Sequence, residues 1–216
     1  SYKSNIEKIR GKEMTKLINK IRSPYEKECS RVIGETETLL YRRGNFNGSW
    51  DDVICDTIMQ ERDTEISLSP GFRWGTTLLP GQKITIDDIY AQTSMNYPEV
   101  YRVEMTGKMI KELLEDVCDN IFNPDPFFQQ GGDMVRVGGL TYTCHPKNKM
   151  GKRISNLKIV SSDKPLESGK KYVVGGWGSV NPNVKGPPIY SLLENYITEK
   201  KIIKSMNLET VKIVGM

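Results

Sequence analysis

Residues 100–122 read VYRVEMTGKMIKELLEDVCDNIF. Val100–Met105 alternates apolar and polar side chains, the period of a strand. Beyond it the apolar residues recur at helical intervals. Met109, Ile110, Leu113, Leu114, Val117, Cys118, Ile121 and Phe122 form one stripe, and Thr106 stands where a helix cap is needed. Other elements follow outward from this unit. Short strands are predicted at Val32-Ile33, Thr38–Leu40 and Thr64–Leu68, and further strands at Leu140–Cys144, Arg153–Val160, Lys171–Val174 and Thr210–Val214. Helices are predicted from a Ser49 cap with Asp52 three residues on (apolar face Trp50, Val53, Ile54, Thr57 and Ile58), from a Thr85 cap over Ile86–Gln92, and from Pro188 to about Lys200. Strands and helices mingle without strict βαβ alternation. The expected class is therefore α+β (mixed α/β), a mixed sheet with helices rather than a doubly wound one.

The first thirty residues differ in character. Ile6, Ile9, Leu17, Ile18 and Ile21 give residues 4–22 a thin helical stripe, which Gly11 weakens in the middle. Ser23-Pro24 predicts an N-cap and a proline at the first position of a second short helix reaching about Cys29. Residues 1–30 are expected to be a helical interdomain linker, or a surface helix packed on another domain, and residues 31–216 the folded domain. The chain opens Ser-Tyr-Lys, with no initiator Met and no signal-like stretch, as expected of a mature fragment or a piece of something longer.

Composition excludes several functions. No apolar run is long enough to span a bilayer. The net charge of +4 is mild, with both signs interleaved, which argues against nucleic acid. Cys29, Cys55, Cys118 and Cys144 contain no CxxC pair; they allow up to two disulfides or none, and Cys55 and Cys118 fall on helix faces that suit buried thiols. His145 is the sole histidine, on a lysine-rich turn where an exposed side chain is expected. One histidine supplies neither a hydrolytic metal cluster nor a Ser/His/Asp triad, and no Gly-x-Ser-x-Gly elbow is present. No metal ligands and no catalytic residues are expected here.

Four loops place arginine or an aromatic on a permissive backbone. Tyr41–Gly48 carries Arg42, Arg43 and Asn45, candidates for a partner contact. Ser69–Thr76 carries Arg73 and Trp74, an oxyanion donor beside a stacking wall. Gln129–Gly139 carries Asp133 and Arg136 between two glycine pairs, and Val174–Asn183 carries Trp177 and Gly178 at the end of a strand. Together they describe an anion-recognition surface without an acid/base couple.

Three segments, Leu40–Gly48, Ser69–Gly75 and Asn123–Cys144, closely resemble the C-terminal domain of the SoxB family of thiosulfohydrolases, within the 5′-nucleotidase superfamily. The resemblance covers about residues 31–214. Ser69–Arg73 stands where nucleotidases carry Asn-Gly-Gly-Gly-Ile-Arg, so nucleotide binding is not implied. What the resemblance implies is a periplasmic enzyme whose N-terminal metallophosphatase domain, absent from this chain, holds two manganese ions. That enzyme would hydrolyse cysteine S-thiosulfonate on the SoxYZ carrier and release sulfate. No cofactor would be bound by the present domain, which would be inactive alone. It implies that Arg73 binds the sulfonate oxygens with help from Arg136, and that Asp133 holds one of the arginines. Trp74 and Trp177 would wall the channel for the carrier arm of SoxY, and glycines 131, 132, 175, 176 and 178 would give that arm room. Two other readings remain: a carrier-docking module without substrate chemistry, and a nucleotidase C-terminal domain.

Overall fold

The computed structural model describes residues 11–42, 44–72, 74–94, 96–181, 183–204 and 209–215. Six α-helices and eleven strands alternate irregularly along them: α1 (Lys12–Arg22), α2 (Glu26–Cys29), β1 (Val32–Thr36), α3 (Ser49–Arg62), β2 (Ile66–Ser69), β3 (Lys83–Thr85), α4 (Ile86–Thr93), β4 (Tyr101–Thr106), α5 (Gly107–Phe122), β5 (Arg136–Gly138), β6 (Leu140–Cys144), β7 (Ile154–Ile159), β8 (Lys164–Pro165), β9 (Lys171–Gly176), α6 (Ile189–Lys200), β10 (Ile202–Ile203) and β11 (Val211–Ile213). They form three mixed sheets, in orders β10-β1-β3, β11-β6-β7-β8 and β4-β9-β2-β5, the expected mixed class.

The two helices with the strongest local signals start as expected. Thr85 and Asp88 form a reciprocal capping box at α4, each side chain accepting the other's backbone N–H. Thr106 accepts from the Met109 N–H at the start of α5. That helix buries Ile110, Leu114 and Cys118 and leaves Met109 at the surface. Each fully buried Ile or Leu contributes about 1.5–3 kcal/mol.

Other boundaries differ, for physical reasons. Gly48 is the cap residue of α3, and Ser49 is its first helical residue. The Ser49 hydroxyl instead donates to the Leu39 carbonyl and accepts from the Tyr41 N–H, clamping the preceding loop. Ser23 ends α1 rather than starting a helix, and α2 begins three residues later. Gly11 is the N-cap residue of α1; the part of the predicted helix before it lies outside the described residues. Thr38–Leu40 is no strand, only a bridge from Leu40 to Leu78. The His145 ring is half-buried, with Nε2 3.2 Å from Ser155 Oγ.

Two cores result. One gathers Trp50, Val53, Ile54 and Ile58 of α3 with Ile86 and Ile89 of α4, Leu193 and Ile197 of α6, and the β1 sheet. The other packs Ile110, Leu114 and Cys118 of α5 against Leu68, Tyr142, Cys144, Ile154 and Val174. No residue of α1 or α2 is buried. Met14, Leu17, Ile18, Ile21 and Tyr25 form an exposed stripe at helical spacing. An ion pair ties α1 to the domain, Arg22 to Asp87 of α4 at 2.9 Å, and Arg31, just beyond α2, bridges Glu28 of α2 at 2.6 Å and Glu194 of α6 at 2.5 Å.

Candidate functional site

The β4-β9-β2-β5 sheet brings three of the four loops to one end. Strand β2 runs parallel to β9, with Leu68 opposite Gly176, so the loops leaving both strands emerge side by side. Strand β5 is antiparallel to β2, with Ser69 opposite Arg136, so the loop entering β5 arrives at the same end. The fourth loop, 41–48, feeds α3, whose first turn carries Asp51 and Asp52. Gly71 fixes the approach of two of these loops. A Cβ there would collide with the Met134 carbonyl and with Asp133. Gly75, at φ +95°, lies equally close to the Gln92 amide, whose Nε2 donates to the Thr76 carbonyl at 2.9 Å.

At the centre lies a wholly buried cluster of charge. Arg42 Nε donates to Asp51 Oδ1 at 2.7 Å, its Nη1 to the Gln92 carbonyl at 2.7 Å, and its Nη2 to the Pro70 carbonyl at 2.9 Å. Arg136 approaches the same carboxylate from the other side, Nε 3.3 Å from Asp51 Oδ2. Its Nη2 donates to the Gly44 carbonyl at 2.6 Å and lies 3.8 Å from Asp133. Asp51 is thus the hub between loops 41–48, 69–76 and 129–136. Burial pushes the Asp51 carboxyl up against the pull of Arg42 and Arg136, and burial draws the Arg136 guanidinium down against Asp51 and Asp133. Desolvation is therefore the main cost of the cluster, and the ion contacts offset it. Among the described residues, Arg136 Nη1 meets no acceptor and its Nε contact lacks hydrogen-bond alignment.

A ladder of aromatics rises beside this cluster. Trp177 is core, 3% exposed, with Nε1 donating to Ser69 Oγ at 2.8 Å. Its ring meets Phe72 edge-on at 6.1 Å, and Phe72 stacks on Trp74 at 3.8 Å. The Arg42 guanidinium lies 5.2 Å from the Phe72 ring centre. Trp74, 42% exposed, carries the ladder to the surface.

The sequence-predicted residues therefore divide. Arg42, Asp133, Arg136, Trp74, Trp177 and Gly178 come together at this end of the sheet, where the Gly178 N–H donates to the Tyr97 carbonyl at 3.2 Å. Arg42 is not the surface arginine expected for a partner contact, because its donors are spent inside. Arg136 is equally enclosed, and Trp177 supports the aromatic ladder from beneath rather than facing solvent. Asn45 is exposed, with its carbonyl accepting from the Met134 N–H. Arg43 and Arg73 lie outside the described residues. Gly131 and Gly132 border open space, whereas the Cβ positions of Gly175 and Gly176 are filled by Ile58, Thr64 and Tyr101. Sequence reasoning missed Asp51 and Gln92. The available signal was Asp51 beside Trp50 in the first turn of α3, directly ahead of the apolar Val53 and Ile54.

The carboxylates here are committed: Asp51 to two arginines, Asp52 to Asn47, and Asp133 beside Arg136. Among the described residues no three His, Cys, Asp or Glu side chains converge as a metal ligand set, so these residues do not fit a dimetal centre. A cavity of about 840 Å³ lies elsewhere, between the end of α5 and the 146–153 turn.

Comparison with known proteins places this geometry. The family described as 5′-nucleotidase, C-terminal domain, matches residues 32–178. Sulfate thiohydrolase SoxB from Thermus thermophilus is similar over 94% of this chain and 39% of its own, with TM-score 0.86 and 32% identity. A 5′-nucleotidase precursor, also from Thermus thermophilus, matches over 94% of this chain and 43% of its own, with TM-score 0.76 and 15% identity. For NAD nucleotidase from Haemophilus influenzae the values are 94%, 41%, 0.69 and 16%. No curated protein matches. The chain spans about two fifths of the length of the solved structures it matches.

Proposed function

The chain belongs to the 5′-nucleotidase C-terminal domain family, and we propose that within it this chain is the substrate-recognition domain of a periplasmic thiosulfohydrolase. Its substrate would be cysteine S-thiosulfonate on a SoxYZ-type carrier, hydrolysed to release sulfate. The observation carrying this reading is the 32% identity to SoxB over nearly the whole chain, against 15–16% to the nucleotidases, a likeness that shows only the fold. The hydrolytic metals, two manganese ions, belong to an N-terminal metallophosphatase domain, and residues 1–30 are the linker to it. The exposed stripe on α1 suits a helix with a further surface to cover.

This chain's part is to bind and orient. Arg73 takes the sulfonate oxygens, next in sequence to Trp74, which gives the carrier arm a flat wall. Arg42, Asp51 and Arg136 hold the three loops that flank it. Asn45 and Arg43 lie on the neighbouring loop, where the carrier would rest.

The test uses the full-length protein with carrier-bound thiosulfonate, with sulfate release as the readout. A charge-assisted hydrogen bond contributes about 1.5–3 kcal/mol, so Arg73→Ala should slow turnover at least roughly tenfold. Unchanged release would remove Arg73 from the site. Turnover of a nucleoside monophosphate, with none of the thiosulfonate, would replace this reading by the nucleotidase one. Carrier binding that survives Arg73→Ala with unaltered chemistry would favour a docking module.

A further inference from the structure

Cys118 on α5 and Cys144 at the end of β6 face each other in the second core, Sγ to Sγ at 3.6 Å, both wholly buried. That is contact distance for two sulfurs. Closing to a bond of about 2.05 Å needs a shift of roughly 1.5 Å. Between the two cysteines the chain runs through the 123–135 loop and β5, so a bond here would pin both ends of the segment that carries Asp133 and Arg136. The other two cysteines have no such arrangement: Cys55 is buried on α3, and Cys29 is half-buried on α2.

We propose that Cys118 and Cys144 are a disulfide-forming pair that cross-links α5 to β6, with a small-molecule disulfide of the glutathione class as oxidant. One cysteine thiolate attacks a sulfur of the oxidant. The oxidant's S–S bond breaks, one small thiol leaves, and a mixed disulfide remains on the protein. The second thiolate then attacks the protein sulfur of that mixed disulfide and expels the other half of the oxidant as a second thiol. Two electrons and two protons pass from the protein pair to the oxidant. Because both sulfurs are enclosed in the folded domain, exchange takes place while α5 docks onto β6 during folding. The inference is independent of the proposed substrate.

The test is to refold the 216-residue chain in a glutathione disulfide/glutathione buffer and, separately, in dithiothreitol. Each sample is then denatured in excess N-ethylmaleimide and its adducts counted by mass spectrometry. The expected result is two adducts in the first sample and four in the second, with a peptide joining Cys118 to Cys144 that is two hydrogens lighter than its parts. The oxidised chain should melt about 5–10 °C above the reduced one, as a closed loop of this length predicts. A Cys118→Ala/Cys144→Ala double variant should abolish that difference. Four adducts after oxidative refolding, or a link through Cys29 or Cys55 in place of this pair, overturns the proposal whether or not the double variant folds.

Discussion

Arg136 and Arg153 are both buried to within 2% of full enclosure, yet their surroundings differ in kind. Arg153 spends every arm of its guanidinium: Nε on the Pro146 carbonyl, Nη1 on Asp119, and Nη2 on the Phe122 carbonyl. Glu115 completes that lattice, accepting from the backbone N–H groups of Gly151, Arg153 and Ile154. Arg136 has one well-formed bond, to Gly44, and two nitrogens without aligned acceptors among the described residues. The lattice around Arg153 is finished, as a structural turn requires. The cluster around Arg136 keeps spare donor capacity under three loops, an arrangement that costs stability and is found where a site must be held ready.

The contrast can be broken most sharply at Asp51. Asp51→Ala leaves Arg42 and Arg136 buried without their shared carboxylate, and about 3–5 kcal/mol of unfolding free energy should be lost. Urea denaturation followed by circular dichroism measures it; a loss under about 1 kcal/mol would show that the hub does not hold the loops. A second comparison sets Arg153→Met against Arg136→Met. The first removes three satisfied arms and should cost about 2–4 kcal/mol; the second leaves Asp51 with Arg42, strands the Gly44 carbonyl and takes a longer ion contact from Asp133, for about 1–2 kcal/mol. Equal costs would erase the distinction between the two arginines.

The two regions also answer pH with opposite sign. Hydrogen bonds from Arg153 and Asn123 hold the Asp119 carboxyl below the usual carboxylate range. Its contribution is present above the unfolded pKa, about 4, and is lost as pH falls through the lower folded value. Asp56, on the same helix as Asp51, is pushed up to about 6 by burial and by Asp52, against Lys200. It binds its proton more tightly when folded, so stability falls as pH rises from about 4 through about 6, by roughly 1 kcal/mol after solvent screening. In urea midpoints taken from about pH 3 to 7, Asp119→Asn should flatten the acid limb and Asp56→Asn the later decline. The smallest effect is at the top of the aromatic ladder. Trp74→Ala removes one stacked, half-exposed ring and should cost about 0.5–1 kcal/mol in the same assay; a larger loss would place Trp74 in the core.

What the sequence disclosed was local. The Thr85 and Thr106 caps and the α5 stripe depend on residues within one or two turns, and they stand where the pattern put them. Strands β3, β5, β8 and β10 hold only two or three residues each, too few for a period to register. The loop residues were legible as a set but not as roles. Whether Arg42, Arg136 and Trp177 face water depends on partners outside their own loops: Asp51 and Gln92 for Arg42, Gly44 for Arg136, Ser69 for Trp177. No spacing rule encodes such partners. The half-buried His145 is the same case, since Ser155 reaches it only across the β6–β7 pair.

Both late strands are parallel additions to strands formed much earlier in chain order. Glu35 and Thr36 of β1 pair with Ile202 and Ile203, while Tyr142 to Cys144 of β6 pair with Val211 to Ile213. During synthesis β1 therefore waits for about 165 residues with one edge unpaired, and β6 waits for about 70. Until those strands leave the ribosome, the nascent domain presents two open backbone edges to neighbouring chains, the condition under which holding chaperones compete with aggregation.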